Sequence, residues 1–333
     1  MSVTVPPPRA AFEVPPRVVV LAGGGSPERE ISLQSGQAVS TALRQRGHEV
    51  IEVDPVEDSL AVREWSPRDV VFLALHGPGG EDGIVQCQLE QLGVPYTGCD
   101  AAASRTAFSK SAAKQRFRDS QVATPEWRTC TRGFGPSSLS GLFDHLGTPL
   151  IVKPDAQGSS LGVSLVESPA MLSTALSECF RLGRVALLEQ VIRGEEWTVA
   201  FLGEDPLPPT RITSARPVFD FDAKYLDEGT VITFPEVFKE SVGESVLEIA
   251  RRACQTIPTR GIVRVDVRVD LQGRPWILEI NTIPGLTDHS LVPRAAAVAG
   301  LSLGELCERA LAEAIECHRR KIGWQIPQNR SAA

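Results

Sequence analysis

Between Ile262 and Val269 the chain alternates without a break. Val263, Val265, Val267 and Val269 fall on one side, and Arg264, Asp266 and Arg268 on the other. A period of two is the pattern of a β-strand with one face in a core. Asp270-Leu271-Gln272-Gly273 reads as a turn and Trp276 to Asn281 as the return strand. A four-residue turn places Glu279 and Asn281 on the face of Arg264 and Asp266. Two carboxylates, an amide and a guanidinium then converge on one side of a hairpin. Oxygen ligands of this kind suit a hard cation such as Mg²⁺, which usually also meets substrate phosphates. The pattern equally describes the solvated side of an antiparallel sheet, and the hairpin alone leaves both readings open.

The rest of the chain says what kind of body surrounds that hairpin. Its 333 residues exceed one ordinary core, so two or three domains are expected. Apolar residues make up 42% and charged residues 23%, ordinary values for a globular protein. A net charge of −7 argues against a nucleic-acid footprint. No apolar run approaches the ~18 residues of a membrane span. Residues 1–16 are Pro-rich and read as a flexible lead-in without the apolar core of an export signal, so a cytoplasmic location is expected. The seven cysteines are scattered, with no Cys-x-x-Cys pair, and read as reduced thiols.

Arg17 to Ala22 is a short apolar run that reads as a buried parallel strand, ended by Gly23-Gly24-Gly25. A helix is expected from about Ser32 to Arg46, with Val39 and Leu43 inward and Gly47 as its stop, then a strand from His48 to Val53. Strand, glycine turn, helix, strand opens a Rossmann-like sheet. Val70 to Leu75 repeats the strand, and a helix bearing Ile84, Val85, Leu89 and Leu92 follows. In the middle of the chain, strands are expected at 150–154, 163–166 and 185–189. A helix begins at Ser168-Pro169, with Leu172, Leu176 and Phe180 inward and Gly183 at its end. Further on come a strand near 198–202, a loop over 204–235, the hairpin, and a helix from about Gly304 to Lys321.

Lys153 ends an apolar strand just before the small-residue loop Gln157-Gly158-Ser159-Ser160-Leu161-Gly162. Small residues let backbone N–H groups approach an anion, so a phosphate contact is reasonable there. The Gly-x-x-x-x-Gly-Lys order of a Walker A loop is absent. Lys110 precedes a helix and could reach the same anion. Taken singly, each lysine reads first as a surface residue.

Six stretches together resemble the D-alanine–D-alanine ligase family of the ATP-grasp superfamily. They are Gly23 to Ser32, Ala74-Leu75-His76-Gly77 through Gly83, Val94 to Gly98, Val152-Lys153-Pro154 with Gly158-Ser159-Ser160, Asp220 to Leu226, and Glu279 to Pro293. They stand in the family's order. The resemblance implies an α/β fold: an N-terminal Rossmann-like (pre-ATP-grasp) domain at 17–105, a central ATP-grasp subdomain at 106–195 and a C-terminal one at 196–333, with ATP between the last two. It implies ATP-dependent joining of two D-alanine molecules through a D-alanyl phosphate, feeding peptidoglycan synthesis.

The resemblance also implies roles. Asp266, Glu279 and Asn281 would hold Mg²⁺ or Mn²⁺, two ions in all, in agreement with the hairpin. Lys110, Lys153 and Lys224 would meet the phosphates. Adenine and ribose would lie against Glu189-Gln190-Val191-Ile192 and Glu196. Glu189 would accept from the exocyclic amine and Glu196 would bind the ribose hydroxyls. Gln190 stands where the family often has Lys. Arg264, with the Gly285 N–H, would stabilise the oxyanion of a tetrahedral intermediate. Glu28 would take the ammonium of the first D-alanine; Glu30 competes on spacing alone. Ser159 and Tyr225 would hydrogen-bond with Glu28 across domains. Ser290 and Leu291 would receive the second D-alanine, its carboxylate near Arg264 and Ser290. His76 matches a position near the first substrate, or is a structural hydrogen-bonder. A homodimer is implied.

Three departures bear on loop closure and specificity: Asp155-Ala156-Gln157 before Gly158, Ile283 before Pro284, and Asp227-Glu228-Gly229-Thr230 after Leu226. Competing readings are a ligase taking D-lactate or D-serine second, another ATP-grasp carboxylate–amine ligase, and a nucleotide-binding protein without catalysis. Tyr225 argues for D-alanine, and the motifs around Ser26 and His289 argue for this branch of the superfamily.

Overall fold

The first apolar run is β1 (Arg17–Leu21), followed by α1 (Arg29–Gln45), β2 (Glu49–Val53), β3 (Asp69–Leu73) and α2 (Ile84–Leu92). The structure is a computed structural model that describes residues 15–133, 141–213, 231–234, 241–321 and 323. The three strands pair in parallel, in the order β2-β1-β3. Val18 to Leu21 are wholly buried, which is why this strand reads as a continuous apolar run. Gly23 at φ +90° turns the chain out of β1. Its N–H donates to Ser32 Oγ at 2.8 Å, and Ser32 Oγ donates to Ala74 O at 2.8 Å. Helix α1 therefore begins at Arg29, earlier than Ser32, with that serine buried under the sheet's end.

Helices α3 (Ala101–Phe108) and α4 (Lys110–Asp119) come next. Asp100 and Ser109 cap them through Ala103 N–H and Ala112 N–H. Then follow β4 (Trp127–Thr131), α5 (Leu142–Leu146), β5 (Leu150–Pro154), β6 (Ser164–Val166), α6 (Leu172–Leu182) and β7 (Val185–Gln190). The four strands form an antiparallel sheet in the order β4-β7-β5-β6. Ala175 and Cys179 of α6 are buried on it, with Leu172, Leu176 and Phe180 packed alongside.

The third sheet holds β8 (Gly194–Leu202), β9 (Asp205–Pro206), β10 (Thr210–Thr213), β11 (Val231–Thr233), β12 (Ile262–Asp270) and β13 (Pro275–Asn281). Its order is β11-β10-β8-β12-β13, with β9 beside β8. Helices α7 (Ser241–Thr256), α8 (Leu291–Val298) and α9 (Leu303–Lys321), with a 3-10 turn at Pro169–Met171 leading into α6, complete the described elements. The expected loop over 204–235 is corrected here: β9, β10 and β11 interrupt it. These strands are two to four residues long, too short to show a period. Helices α3 and α4 share a core with β12, β13 and α7, while α9 joins the first sheet to the third.

The hairpin departs from the expected four-residue turn. Asp270 N–H donates to Arg274 O and Gly273 N–H to Asp270 O, both at 2.9 Å. The turn is thus Leu271-Gln272-Gly273, with Gly273 at φ +79°. Val267 opposes Ile277, yet Asp266 opposes Glu279, because Leu278 is an extra residue in a β-bulge. Continued at the register near the turn, Glu279 would oppose Val265 and enter the core. One residue fewer in the turn and one more in the strand return it to the charged face. Ile277 and Ile280 are accordingly both buried, three positions apart rather than two.

Candidate active site

A cavity of about 470 Å³ lies between the second sheet and the hairpin. Ile151, Val163, Leu165 and the bulged Leu278 give it apolar walls, and Gln190, Val191 and Ile192 line the crossing from β7 to β8. Lys110, Lys153, Glu189, Glu196, Asp266 and Glu279 supply its polar groups. Apolar walls with a charged end suit a flat heterocycle carrying an anionic tail.

Lys110 opens α4 and reaches two ways. Its Nζ is 3.1 Å from Glu279 Oε2 and donates to Gln157 O at 2.7 Å. Burial alone would lower this lysine, but Glu279 and Asp155 outweigh it and hold it above the usual lysine range. Arg264 grips Asp266 with two bonds of 2.8 Å, and Thr198 Oγ1 donates to Asp266 Oδ1 at 2.8 Å. Asn281 lies beside Arg264 on the paired strand, and its Oδ1 accepts from Ile283 N–H at 3.0 Å. Arg268 binds Glu196 at 2.8 Å and donates to Ile192 O at 3.2 Å. Glu196 is thereby fixed at the β8 end of the cavity.

Glu189 was expected to accept from a base. Its carboxylate lies between two lysines, Lys153 at 2.9 Å and Lys114 at 2.7 Å. Burial would raise Glu189, and the two cations bring it below the usual carboxylate range.

A second cluster forms where the N-terminal sheet meets the glycine-serine loop. Glu28 is 5% exposed, whereas Glu30 is exposed to solvent, which separates the two candidates. Ser159 Oγ donates to Glu28 Oε1. Ser159 and Ser160 both hold left-handed backbone, φ +48° and +55°, a strain that local contacts must sustain. Burial first, then the charge of Glu81, raise Glu28 above the usual carboxylate range, against the opposing pulls of Ser159, His76 and Lys110. His76 Nε2 is 3.1 Å from Ser35 Oγ, which accepts from Leu286 N–H at 3.3 Å. The histidine thus joins the cluster to the loop after β13. In that loop Ser290 Oγ accepts from Thr287 N–H at 3.2 Å and lies against Gly285, while Leu291 packs on Ile212.

A Cβ on Gly158 would collide with both carboxylate oxygens of Glu28. Gly158→Ala is expected to swing Glu28 aside and raise the KM of an ammonium-bearing substrate about tenfold, with little change for a nucleotide bound in the cavity. Separate substrate titrations of the variant check this, and equal losses for both ligands would contradict it.

Lys224 and Tyr225 lie outside the described residues. Two residues that support the site from behind carry no functional signal in the sequence reading. Asp155 accepts from Ser109 Oγ and from Ser111 N–H, both at 2.7 Å, and so clamps the start of α4 to the end of β5. Lys114 is completely buried behind Glu189. Asp155 stood out in sequence only as a departure from the family, and Lys114 sits in a strongly polar helix that looks solvated.

Comparison with known proteins bears on the same regions. The family model described as D-ala D-ala ligase C-terminus matches residues 118–312, and the one described as D-ala D-ala ligase N-terminus matches 55–99. A D-alanine--D-alanine ligase of Alkalilimnicola ehrlichii is 42% identical over 92% of this chain and 96% of its own length. One of Ectopseudomonas mendocina is 41% identical over 90% and 95%. The crystal structure of the Bacillus anthracis ligase superposes with a TM-score of 0.79 at 30% identity, covering 92% of this chain and 99% of that one. The structure of that ligase complexed with ATP gives 0.78 at 28% identity, again covering 92% and 99%. Likeness of this length and identity goes beyond a common fold, and the chain belongs to the D-alanine–D-alanine ligase family.

Proposed function

We propose that this enzyme joins two D-alanine molecules into D-alanyl-D-alanine at the expense of ATP, through a D-alanyl phosphate, for peptidoglycan precursors. The observation that carries the reading is one cavity in which Lys110, Lys153, Glu196, Asp266 and Glu279 converge, in a chain of this family. Adenine fits the apolar walls and the Gln190–Ile192 edge, and ribose fits Glu196. Glu189, held by the two lysines, would accept from the adenine amine beside the backbone of the crossing. Lys110 and Lys153 face the phosphates, joined by Lys224.

Asp266, Glu279 and Asn281 fit a divalent ion by donor chemistry: oxygen atoms only, with the two carboxylates directly opposed. Among the described residues no group of three acidic, His or Cys side chains forms a cation site, so the amide of Asn281 would complete the set. Mg²⁺ or Mn²⁺ held there would neutralise phosphate oxygens during transfer. Arg264 and Lys110, now paired with Asp266 and Glu279, are placed to turn toward substrate oxygens instead.

A carboxylate is a poor electrophile, and phosphorylation gives it a leaving group. Glu28 orients the first D-alanine by its ammonium, with Ser159 and Tyr225 steadying Glu28. The first carboxylate then attacks the γ-phosphoryl group among the lysines, the bond to the β-phosphate breaks, and ADP is the leaving group. The amine of the second D-alanine, seated by Ser290 and Leu291, attacks the acyl phosphate. Arg264 and the Gly285 N–H stabilise the oxyanion before phosphate leaves. Exclusion of water by the glycine-serine loop protects the acyl phosphate.

The same reading takes the domain bounds as 17–105, 106–195 and 196–333 and the enzyme as a cytoplasmic homodimer. No helix among the described residues is long and apolar enough to cross a membrane. The deciding experiment measures phosphate release with ATP and Mg²⁺ against D-alanine, L-alanine, and D-alanine with D-serine or D-lactate, with products identified by mass. Release with D-alanine alone, giving the D,D-dipeptide, is expected. A mixed product would move the second substrate, and no release with any of them would remove the assignment.

A further inference from the structure

Lys114 makes no contact with the cavity, yet everything around it leads there. It lies one turn after Lys110 on α4, fully buried. Its Nζ pairs with Glu189 Oε2 at 2.7 Å and donates to Thr124 Oγ1 at 2.7 Å and Pro125 O at 3.0 Å. Thr124 Oγ1 in turn donates to Ile277 O at 2.8 Å, in the residue just before the bulge. The opposite oxygen of Glu189 holds Lys153, which lines the cavity. A fully buried lysine is costly unless paired, so this arrangement needs a reason.

Charge supplies it. Lys153 and Glu189 alone form a neutral pair, and a neutralised lysine offers an anion little. A second lysine on the same carboxylate leaves the trio with one net positive charge, on the side where Lys153 faces the cavity. We infer that Lys114 is a positioning residue for ATP: it takes up the charge of Glu189, so that Lys153 remains available to the phosphates. The inference rests on reading the cavity as the ATP site.

The protonation of Lys114 is in keeping with this. Burial pushes it down to about 8, partly offset by Glu189. The charged groups acting on it are Glu189 and Glu126, which favour its cation, and Lys153, which opposes it. At neutral pH the trio keeps its third charge and above pH 8 progressively loses it. ATP affinity measured without D-alanine is therefore expected to weaken above that pH.

The test compares equilibrium binding of ATP, with Mg²⁺ and no D-alanine, to wild type, Lys153→Met, Lys114→Met and the double variant Lys114→Met with Glu189→Gln. Thermal melting of each reports the fold. Lys153→Met tests the site itself and must weaken binding. Lys114→Met is expected to weaken ATP about tenfold, from loss of one charge near the phosphates. The double variant restores the single net charge on Lys153 and is expected to regain most of the affinity that Lys114→Met loses. A residue that only filled space would gain nothing from the second change. If Lys153→Met weakens ATP but Lys114→Met does not, the inference fails and the site stands. If neither weakens it, the reading of the cavity falls and takes the inference with it. Should Lys114→Met not fold, the double variant decides: a folded double variant that binds ATP about tenfold worse than wild type overturns the proposal.

Discussion

Glu279→Gln is expected to cut D-alanine-dependent phosphate release by about a thousandfold while leaving the fold and ATP binding in place. Glu279 is only partly buried and lies on the hairpin's charged face, opposite Asp266, so an isosteric amide removes no core contact. Lys110 loses its ion pair but keeps the bond to Gln157 O. One fewer negative charge beside the phosphates makes ATP bind as well as before or better. What goes is the anionic oxygen that would hold the divalent ion against the transferring group. Binding and turnover should therefore separate: unchanged or tighter ATP, very little phosphate, and a Mg²⁺ requirement shifted to higher concentration. Wild-type phosphate release by the variant would sink the metal assignment. A parallel collapse of ATP binding and melting temperature would recast Glu279 as a structural partner of Lys110.

The hairpin also shows what the chain discloses before folding and what it withholds. Alternation from Val263 to Val269 is local, so the strand and its charged face are legible from residue types alone. The bulge at Leu278 is not, because a run such as Trp276-Ile277-Leu278-Glu279-Ile280 fits either register until the turn is fixed. The turn is one residue shorter and the strand one residue longer than plain alternation implies, and the two differences cancel in parity, so the charged face is the same. The buried strands β1 and β3 are legible as apolar runs, whereas β9, β10 and β11 are too short to show a pattern. In the candidate site, Glu28, Lys110 and Lys153 came from motifs. Lys114 could not come from its surroundings, Lys-Ser-Ala-Ala-Lys-Gln-Arg-Phe-Arg-Asp. Only the fold puts an acid behind it, 75 positions later in the chain (189 minus 114). Long-range pairing of charges is invisible to periodicity.

Glu28→Gln should lose activity and gain stability together. Glu28 is raised above the usual carboxylate range, chiefly by burial and next by Glu81, against the opposing pulls of Ser159, His76 and Lys110. A carboxyl raised in the folded state binds its proton more tightly there than in the unfolded chain. Its favourable contribution is full below the unfolded value near 4.5 and is lost as pH rises through the folded value. At neutral pH wild type thus carries a charge that the fold disfavours, and an amide in the same place does not. The melting temperature of Glu28→Gln should exceed that of wild type at pH 8, and the gap should close toward pH 4. D-alanine reverses the balance, because its ammonium adds a cation beside the carboxylate. With ATP present, D-alanine should raise the melting temperature of wild type and not of the variant. The kcat/KM for D-alanine should fall about a hundredfold in the variant, with ATP affinity unchanged. A Gln variant less stable than wild type at pH 8 would mean that Glu28 is satisfied in the free enzyme. The ammonium of the first substrate would then have to be met elsewhere.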